Sequence, residues 1–302
     1  MDDPEWLARR FEAYRRHLRD VAYRMLGSSS DADDAVQEAW LRLCRSDSAV
    51  VNNMGGWLTT VVARICLDAL RSRKRRIEEP AAPEYLAQLA GQGDVDADTD
   101  VELADSVGLA VLVILDRLDP AERLAYVLHD MFDVSFEEIA RIADRTPLAA
   151  RKLASRARQR LRGTARPPNF ELSRRRDIAE AFLAASRDGD FHALLAVLDP
   201  DVVLHADPAA AQGNAAIEVR SAPLVARGAL AFSARARFAQ LALVDGRVGV
   251  LVAPRGRLLV VLRFTVALGK IVKIEVIGEA SRLAQLELAL LDDEGMRQHL
   301  AS

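Results

Sequence analysis

SFEEIARIADRTPLAARKLASRARQRLR, residues 135 to 162, is the stretch on which the fold turns. Phe136, Ile139, Ala140 and Ala143 recur at helical spacing and form one apolar stripe. Thr146-Pro147 then reads as an N-cap followed by proline at the first helical position, so a second helix starts there. Leu148, Leu153, Ala157 and Leu161 are its expected inward residues. From Arg145 to Arg166 there are eight basic residues and no acidic one. A short amphipathic helix, a tight turn and a basic helix form the helix-turn-helix pattern, whose second helix enters the major groove. Charge alone would favour a solvated helix face, which is what a charge run usually is. The cap, the turn and the absence of acid together point to DNA.

The 302 residues predict two or three domains. The net charge of -3 hides a block from Glu79 to Gly108 that carries no Lys or Arg, between two slightly basic segments. Cys44 and Cys66 lie in apolar helical patterns without Cys/His spacing around them, which predicts buried thiols in a reducing compartment and no metal site. The start, MDDPEWLARRF, lacks the pattern of a signal peptide, and no apolar run approaches the ~18 residues of a membrane span. A soluble cytoplasmic protein without cofactor or membrane contact is expected.

Working toward the N-terminus, the spacing predicts helices at about 109–117, 120–131, 135–143 and 147–162. Residues 79–108, with Pro80, Pro83 and the run DVDADTDVELAD, read as an acidic linker. WLTTVVARICLDALRSRKRR predicts a helix opening at Trp57. Its polar side carries Thr60, Arg64, Asp68 and Arg71, and a polar, glycine-ended loop (46–56) precedes it. Residues 5–27 predict one helix. Another runs from a cap at Asp31 to Arg45, with Val36, Ala39, Trp40 and Leu43 inward. A separate stripe holds Asp34, Gln37, Glu38 and Leu41. An acidic stripe enclosing a leucine suits a partner-binding face, and an unremarkable exposed leucine suits the spacing as well.

DADDAVQEAWLRL (31–43), GGWLTTVVARICLDALRSRKRR (55–76), LDRLDPAERLAYVLHDMFDVSFEEIARI (115–142) and the basic helix occur in that order. In this the chain resembles the extracytoplasmic-function (ECF) sigma factors of bacterial RNA polymerase, which keep only sigma regions 2 and 4. The resemblance covers about residues 5–165. It implies that Asp34, Gln37, Glu38 and Leu41 meet the clamp helices of the polymerase beta-prime subunit, and that the beta flap is a further partner. It implies that Asn52, Asn53, Thr60, Arg64 and Arg71 contact an opened minus-ten element, with a flipped base held by hydrogen bonds and phosphates by arginine. Two Asn in a turn are more often turn formers. Arg151, Lys152, Ser155 and Arg156 would read the minus-thirty-five element, while Arg158, Arg160 and Arg162 would hold phosphates.

Residues beyond 165 are extra to that pattern. GTARPPN (163–169) reads as a linker. Helices at 174–187 and 190–198, a strand at 201–206, and apolar runs at 232–244, 247–253, 258–268 and 271–278 separated by Asp245-Gly246 and Gly269-Lys270 predict helices followed by antiparallel hairpins. AFLAASRDGDFHALLAVLDPDVVLHAD resembles the SnoaL-like domain, an α+β cone with a curved antiparallel sheet. ECF sigma factors with such a fused domain form a family that this chain resembles. In place of that family's glycine-rich loop stands ADPAAAQGNAA (206–216). His205 and Asp207 are the acid–base candidates in the cone, without a visible partner; Arg220, Arg235, Arg237 and Arg263 are candidates for its lining.

The expected organisation is therefore two all-α domains and an α+β cone: sigma region 2 (1–78), acidic linker (79–108), region 4 with its helix-turn-helix (109–165), linker (166–172), SnoaL-like domain (173–291) and tail (292–302). The expected function is an alternative sigma factor, not an enzyme, whose C-terminal domain contacts the sigma regions and modulates them. A helix-turn-helix regulator with a small-molecule-binding C-terminal domain is the alternative; it has no use for the acidic stripe at 34–41 or the helix at 57–76.

Overall fold

The computed structural model describes residues 4–45, 53–78, 108–162, 170–211 and 215–291. Asn52 and the greater part of the acidic, 163–169 and C-terminal tail segments lie outside these residues. The chain divides into two compact units: one holds 1–103 and 116–158, the other 104–115 and 159–302.

The first unit is all helical. Helices α1 (Pro4–Leu26), α2 (Ser29–Arg45) and α3 (Met54–Glu78) pack around Phe11, Leu18, Val21, Met25, Val36, Ala39, Leu43, Leu58, Val62 and Cys66, all buried. Phe11 meets Trp40 with ring centroids 5.1 Å apart. Two helix starts differ from expectation. α2 begins at Ser29, because the Ser28 hydroxyl accepts the Asp31 amide at 3.3 Å and leaves Asp31 inside the first turn. α3 begins three residues before Trp57, because Asn53 caps it: its side-chain oxygen accepts the Gly56 amide at 3.0 Å. Gly55 then lies against the Tyr14 ring, where a Cβ would come within 2.9 Å of a ring carbon.

After α4 (Leu109–Asp116), the first unit resumes with α5 (Pro120–Tyr126), a π-helical turn (Val127–Met131), α6 (Phe136–Ala143) and most of α7 (Pro147–Arg162). The predicted helix at 120–131 thus widens at Val127. Ser135 caps α6: its hydroxyl accepts the Glu138 amide at 3.3 Å and donates to the Glu138 carboxylate at 3.0 Å. It ends on Asp144 in the left-handed region, φ 57°. Thr146 caps α7, accepting the Ala149 amide at 3.2 Å.

The second unit is α+β. It contains α4 up to Leu115, the end of α7, α8 (Phe170–Asp188), α9 (Phe191–Val197), β1 (Leu198–Ala206), β2 (Ile217–Arg220), α10 (Ala222–Ala231), α11 (Ser233–Ala236), β3 (Ala239–Val244), β4 (Arg247–Val252), β5 (Val260–Ala267), β6 (Lys270–Ile277), α12 (Ala280–Gln285) and β7 (Leu288–Ala289). Its seven-stranded sheet runs β2-β1-β6-β5-β4-β3-β7. All pairs are antiparallel except β1 with β6. One face packs under α8, where Phe182 meets Phe264 at 5.3 Å among Val248, Val250, Ile271 and Ile274. The run 232–244, expected as one strand, is strand only from Ala239. Its first residues form α11, whose carbonyls with β3 are held by Arg187: Nε to Ala236 O at 3.0 Å and Nη2 to Ala239 O at 2.5 Å.

α4 belongs to this unit because LAVLVILD has no polar side. Leu109 through Leu115 are all buried, and such a helix must be covered all round. The Gln240 side chain on β3 accepts the Ala110 amide at 2.6 Å. The end of α7 is held in this unit as well: Leu290 donates to Leu161 O at 2.9 Å.

Candidate functional site

α2 presents the acidic stripe. Its inward residues Ala32, Ala35, Val36, Ala39 and Leu43 turn Asp34, Gln37 and Leu41 to the exposed side. Leu41 is 41% exposed, a large apolar side chain between carboxylates. Glu38 is half-buried and pairs with Arg42 at 3.0 Å. Spacing left open whether this was a surface; the helix presents all four residues on one side.

α7 presents the basic face. Ala150, Ala154, Ala157 and Leu161 are buried, and Arg151, Lys152, Ser155 and Arg156 are exposed. Leu148 is not inward as expected but 64% exposed: it sits in the first turn, ahead of the alanine stripe that packs. Arg151 stacks over Phe136 at 5.6 Å and lies 3.8 Å from Glu137, both on α6. Arg158 is not a free phosphate ligand in this arrangement, since its Nε donates to Asp130 at 2.7 Å.

α3 carries the remaining predicted nucleic-acid residues. Asn53 is exposed, with its side-chain oxygen committed to the cap. Thr60 donates to Gly56 O at 2.9 Å, which fixes its rotamer along the helix. Arg71 is exposed and 3.8 Å from Asp68. Arg64 is exposed but engaged, donating from Nη2 to Arg141 O on α6 at 3.1 Å. Sequence reasoning missed the residue that organises this neighbourhood. Arg123 on α5 is 2% exposed. It donates to Arg24 O from Nε and Nη2, at 3.3 and 3.2 Å, and to Asp116 at 3.2 Å. Burial pulls its pKa down from the usual arginine value, with Asp116 opposing. Of the two cysteines expected to be buried, Cys44 is exposed. Burial pushes the Cys66 thiol up to about 12, so it is an inert core group.

In the sheet unit both acid–base candidates have partners that the sequence did not show. Asp207 is buried; it accepts the amides of Ala210 at 2.9 Å, Gly278 at 3.0 Å and Glu279 at 3.1 Å, and an Arg282 N–H at 3.3 Å. Burial alone would raise its pKa, but these donors outweigh it and hold the carboxyl below its usual value. Gly278 permits this staple, because a Cβ there would meet the Ala210 amide nitrogen at 2.7 Å. His205 pairs across the β1–β2 ladder with Glu218 at 3.3 Å, and Glu218 also receives Arg220 at 2.6 Å. Arg263 donates to Glu275 and to Asp245. Arg235 and Arg237 lie over Phe232 and Phe238. Arg247, Arg263, Thr265, Lys273 and Glu275 border a cleft of about 350 Å³ floored by Val244, Val248 and Phe264.

Residues 10–76 match the Sigma-70 region 2 family and residues 108–161 match Sigma-70, region 4. A probable ECF RNA polymerase sigma factor, SigI of Mycobacterium tuberculosis, is 34% identical over 282 residues, covering 93% of this chain and 96% of that protein. The ECF RNA polymerase sigma factor SigJ of the same species is 38% identical over 254 residues, 80% of each chain. The crystal structure of SigJ aligns over 91% of this chain and 98% of its own, with 31% identity and a TM-score of 0.44.

Proposed function

The chain belongs to the ECF RNA polymerase sigma factors, and on that premise we propose which of its residues carry each contact. As a sigma factor it binds core RNA polymerase and directs it to promoters through regions 2 and 4. Sigma factors are not enzymes; the polymerase supplies the chemistry. The observation that carries the assignment is the pair of exposed faces in the helical unit, one acidic with Leu41 and one basic with Arg151, Lys152, Ser155 and Arg156.

Asp34, Gln37, Glu38 and Leu41 meet the beta-prime clamp helices, where carboxylates steer a basic partner and Leu41 supplies the desolvated centre. Region 4 meets the beta flap and the minus-thirty-five element. Arg151 and Lys152 suit guanine edges in the major groove, and Ser155 and Arg156 extend the same face. Arg64 and Arg71 suit phosphates of the minus-ten strand, with Thr60 and Asn53 beside them. The protein works in the cytoplasm with the polymerase, and among the described residues no helix is long and apolar enough to cross a membrane.

Arg151→Ala tests the promoter assignment. It is expected to cost about 1–3 kcal/mol at one minus-thirty-five position while leaving core binding unchanged, read by gel shift of holoenzyme on promoters mutated one base pair at a time. A uniform loss over all sequences would instead make Arg151 a phosphate contact.

The C-terminal domain modulates promoter recognition through its grip on both ends of region 4, at Ala110–Gln240 and Leu161–Leu290. Gln240→Ala leaves the Ala110 amide without its side-chain acceptor. The expected result is faster amide exchange at the start of α4 and a changed ratio of minus-thirty-five to minus-ten dependence in transcription. Unchanged transcription from the cognate promoter after removal of the whole domain would contradict the modulatory role.

A further inference from the structure

We propose that the cleft beside Arg263 on the sheet is a binding site for a small organic dianion, a phosphate monoester or a dicarboxylate, with Arg247 and Lys273 as its anchors. Every residue of this site lies in the sheet unit, so it goes beyond the polymerase and promoter assignments and does not depend on them.

The cleft, of about 350 Å³, falls within the size range of small-molecule sites. Side chains alternate across a strand, and Phe264 and Ile274 belong to the core under α8. Their neighbours Arg263, Thr265, Lys273 and Glu275 therefore stand on the opposite face of the sheet. There Arg263 faces Glu275, and Thr265 faces Lys273, across the β5–β6 ladder. On the β4 side Arg263 faces Gly249, which contributes no side chain. Val244 of β3 fills that place: a Cβ on Gly249 would come within 2.9 Å of it. The floor is thus low and apolar, and the border is charged. The β5–β6 register also shifts between Thr265 and Val266, and such a bulge re-aims side chains at the rim of a sheet.

The charges at the border show what the cleft lacks. Both of its carboxylates are spent. Asp245 accepts the Glu287 amide on one oxygen at 2.9 Å and Arg263 on the other at 3.0 Å. Glu275 accepts Arg263 on one oxygen at 2.5 Å and Arg282 on the other at 2.6 Å. Burial alone would raise the Glu275 carboxyl, but the two arginines outweigh it and hold it below its usual value. Arg247 and Lys273 are exposed on the same border and have no hydrogen-bond or ion-pair partner among the described residues. Two uncompensated positive charges match two negative ones. Charge-assisted hydrogen bonds from Arg or Lys to phosphate or carboxylate oxygens are the strong kind, and Thr265 adds a hydroxyl beside Lys273. A monoanion would neutralise only one of the two cations, and a neutral ligand neither.

Isothermal titration of the full-length chain, at pH 8 and fixed ionic strength, tests the site. Phenyl phosphate and succinate are the two dianions and acetate is the monoanion. At least one dianion is expected to bind, one molecule per chain, and acetate roughly tenfold more weakly or less. Which dianion binds decides between a phosphate ester and a dicarboxylate. Arg247→Gln and Lys273→Gln each remove an exposed cation that holds no other group, so the fold is kept, as circular dichroism will verify. Each is expected to weaken dianion binding roughly tenfold. Arg227→Gln, at an exposed position of α10 outside the cleft, is the control and should leave the affinity unchanged. Binding of neither dianion, binding no tighter than that of acetate, or an affinity that the two cleft variants leave as it was, overturns the proposal. So does an equal loss in all three variants, which would mean general attraction to a cationic surface.

Discussion

Asp34→Arg is expected to weaken binding to core RNA polymerase by roughly 30- to 1,000-fold and to leave the fold intact. Asp34 is exposed on α2, while the helix is held by Ala35, Val36, Ala39 and Leu43 on its other side. Reversing its charge therefore removes no buried contact. At a desolvated interface with basic helices it replaces an attraction by a repulsion beside Leu41, and the loss expected of such a central residue is about 2–4 kcal/mol, roughly 30- to 1,000-fold in affinity. The neighbouring Asp33 supplies the control: it pairs with Arg19 of α1 at 2.7 Å, off the proposed face. Asp33→Ala should cost at most about 1 kcal/mol of stability and leave polymerase binding unchanged. Circular dichroism establishes that both variants fold, and titration of labelled chain with core polymerase reads the affinities.

Asp207→Asn unravels one end of the sheet unit. The carboxylate ties the end of β1 to the end of β6 and the start of α12 by accepting three backbone amides and Arg282. An amide side chain retains one acceptor oxygen and turns an NH₂ group toward N–H donors. Each buried donor left without a partner costs about 1–3 kcal/mol, so a loss of about 3 kcal/mol and a Tm lower by roughly 5–10 °C are expected for this unit. All three tryptophans, Trp6, Trp40 and Trp57, lie in the helical unit, so their fluorescence should not follow this transition, whereas amide exchange in β6 and α12 should. The pH dependence carries a sign. The carboxyl titrates lower folded than unfolded, so its stabilisation is complete above about pH 4 and is lost as pH falls through the folded value. The wild-type unit should lose stability in acid more steeply than the variant.

The helices of region 4 were legible because each is written locally. Thr146-Pro147 announces a helix start, and Ile139 and Ala143 a buried stripe, all within one or two turns of chain. The two exposed faces followed from the same periodicity. What stayed hidden depends on residues far apart in sequence. Nothing near Arg64 foretells Arg141, and nothing near Arg123 foretells that the carbonyl of Arg24 receives its guanidinium. Asp207 looked like a free acid because its donors come from residues 278 to 282. The run at 232–244 was misread because Ser233 to Ala236 is too short for a helical period to declare itself, and β2, at four residues, left no alternation to count. The helix at α4 was legible, but its near-continuous apolar run has no side to say against what it packs.

Transcription by reconstituted holoenzyme on sheared genomic DNA, with sequencing of the RNA 5′ ends, tests the central claim most directly. With wild-type chain the starts are expected to fall downstream of one shared pair of minus-thirty-five and minus-ten sequences. Arg151→Ala should relax one position of the first, and Asp34→Arg should return the pattern of core enzyme alone. Starts identical with and without the chain, or a full pattern supported by Asp34→Arg, would contradict the account.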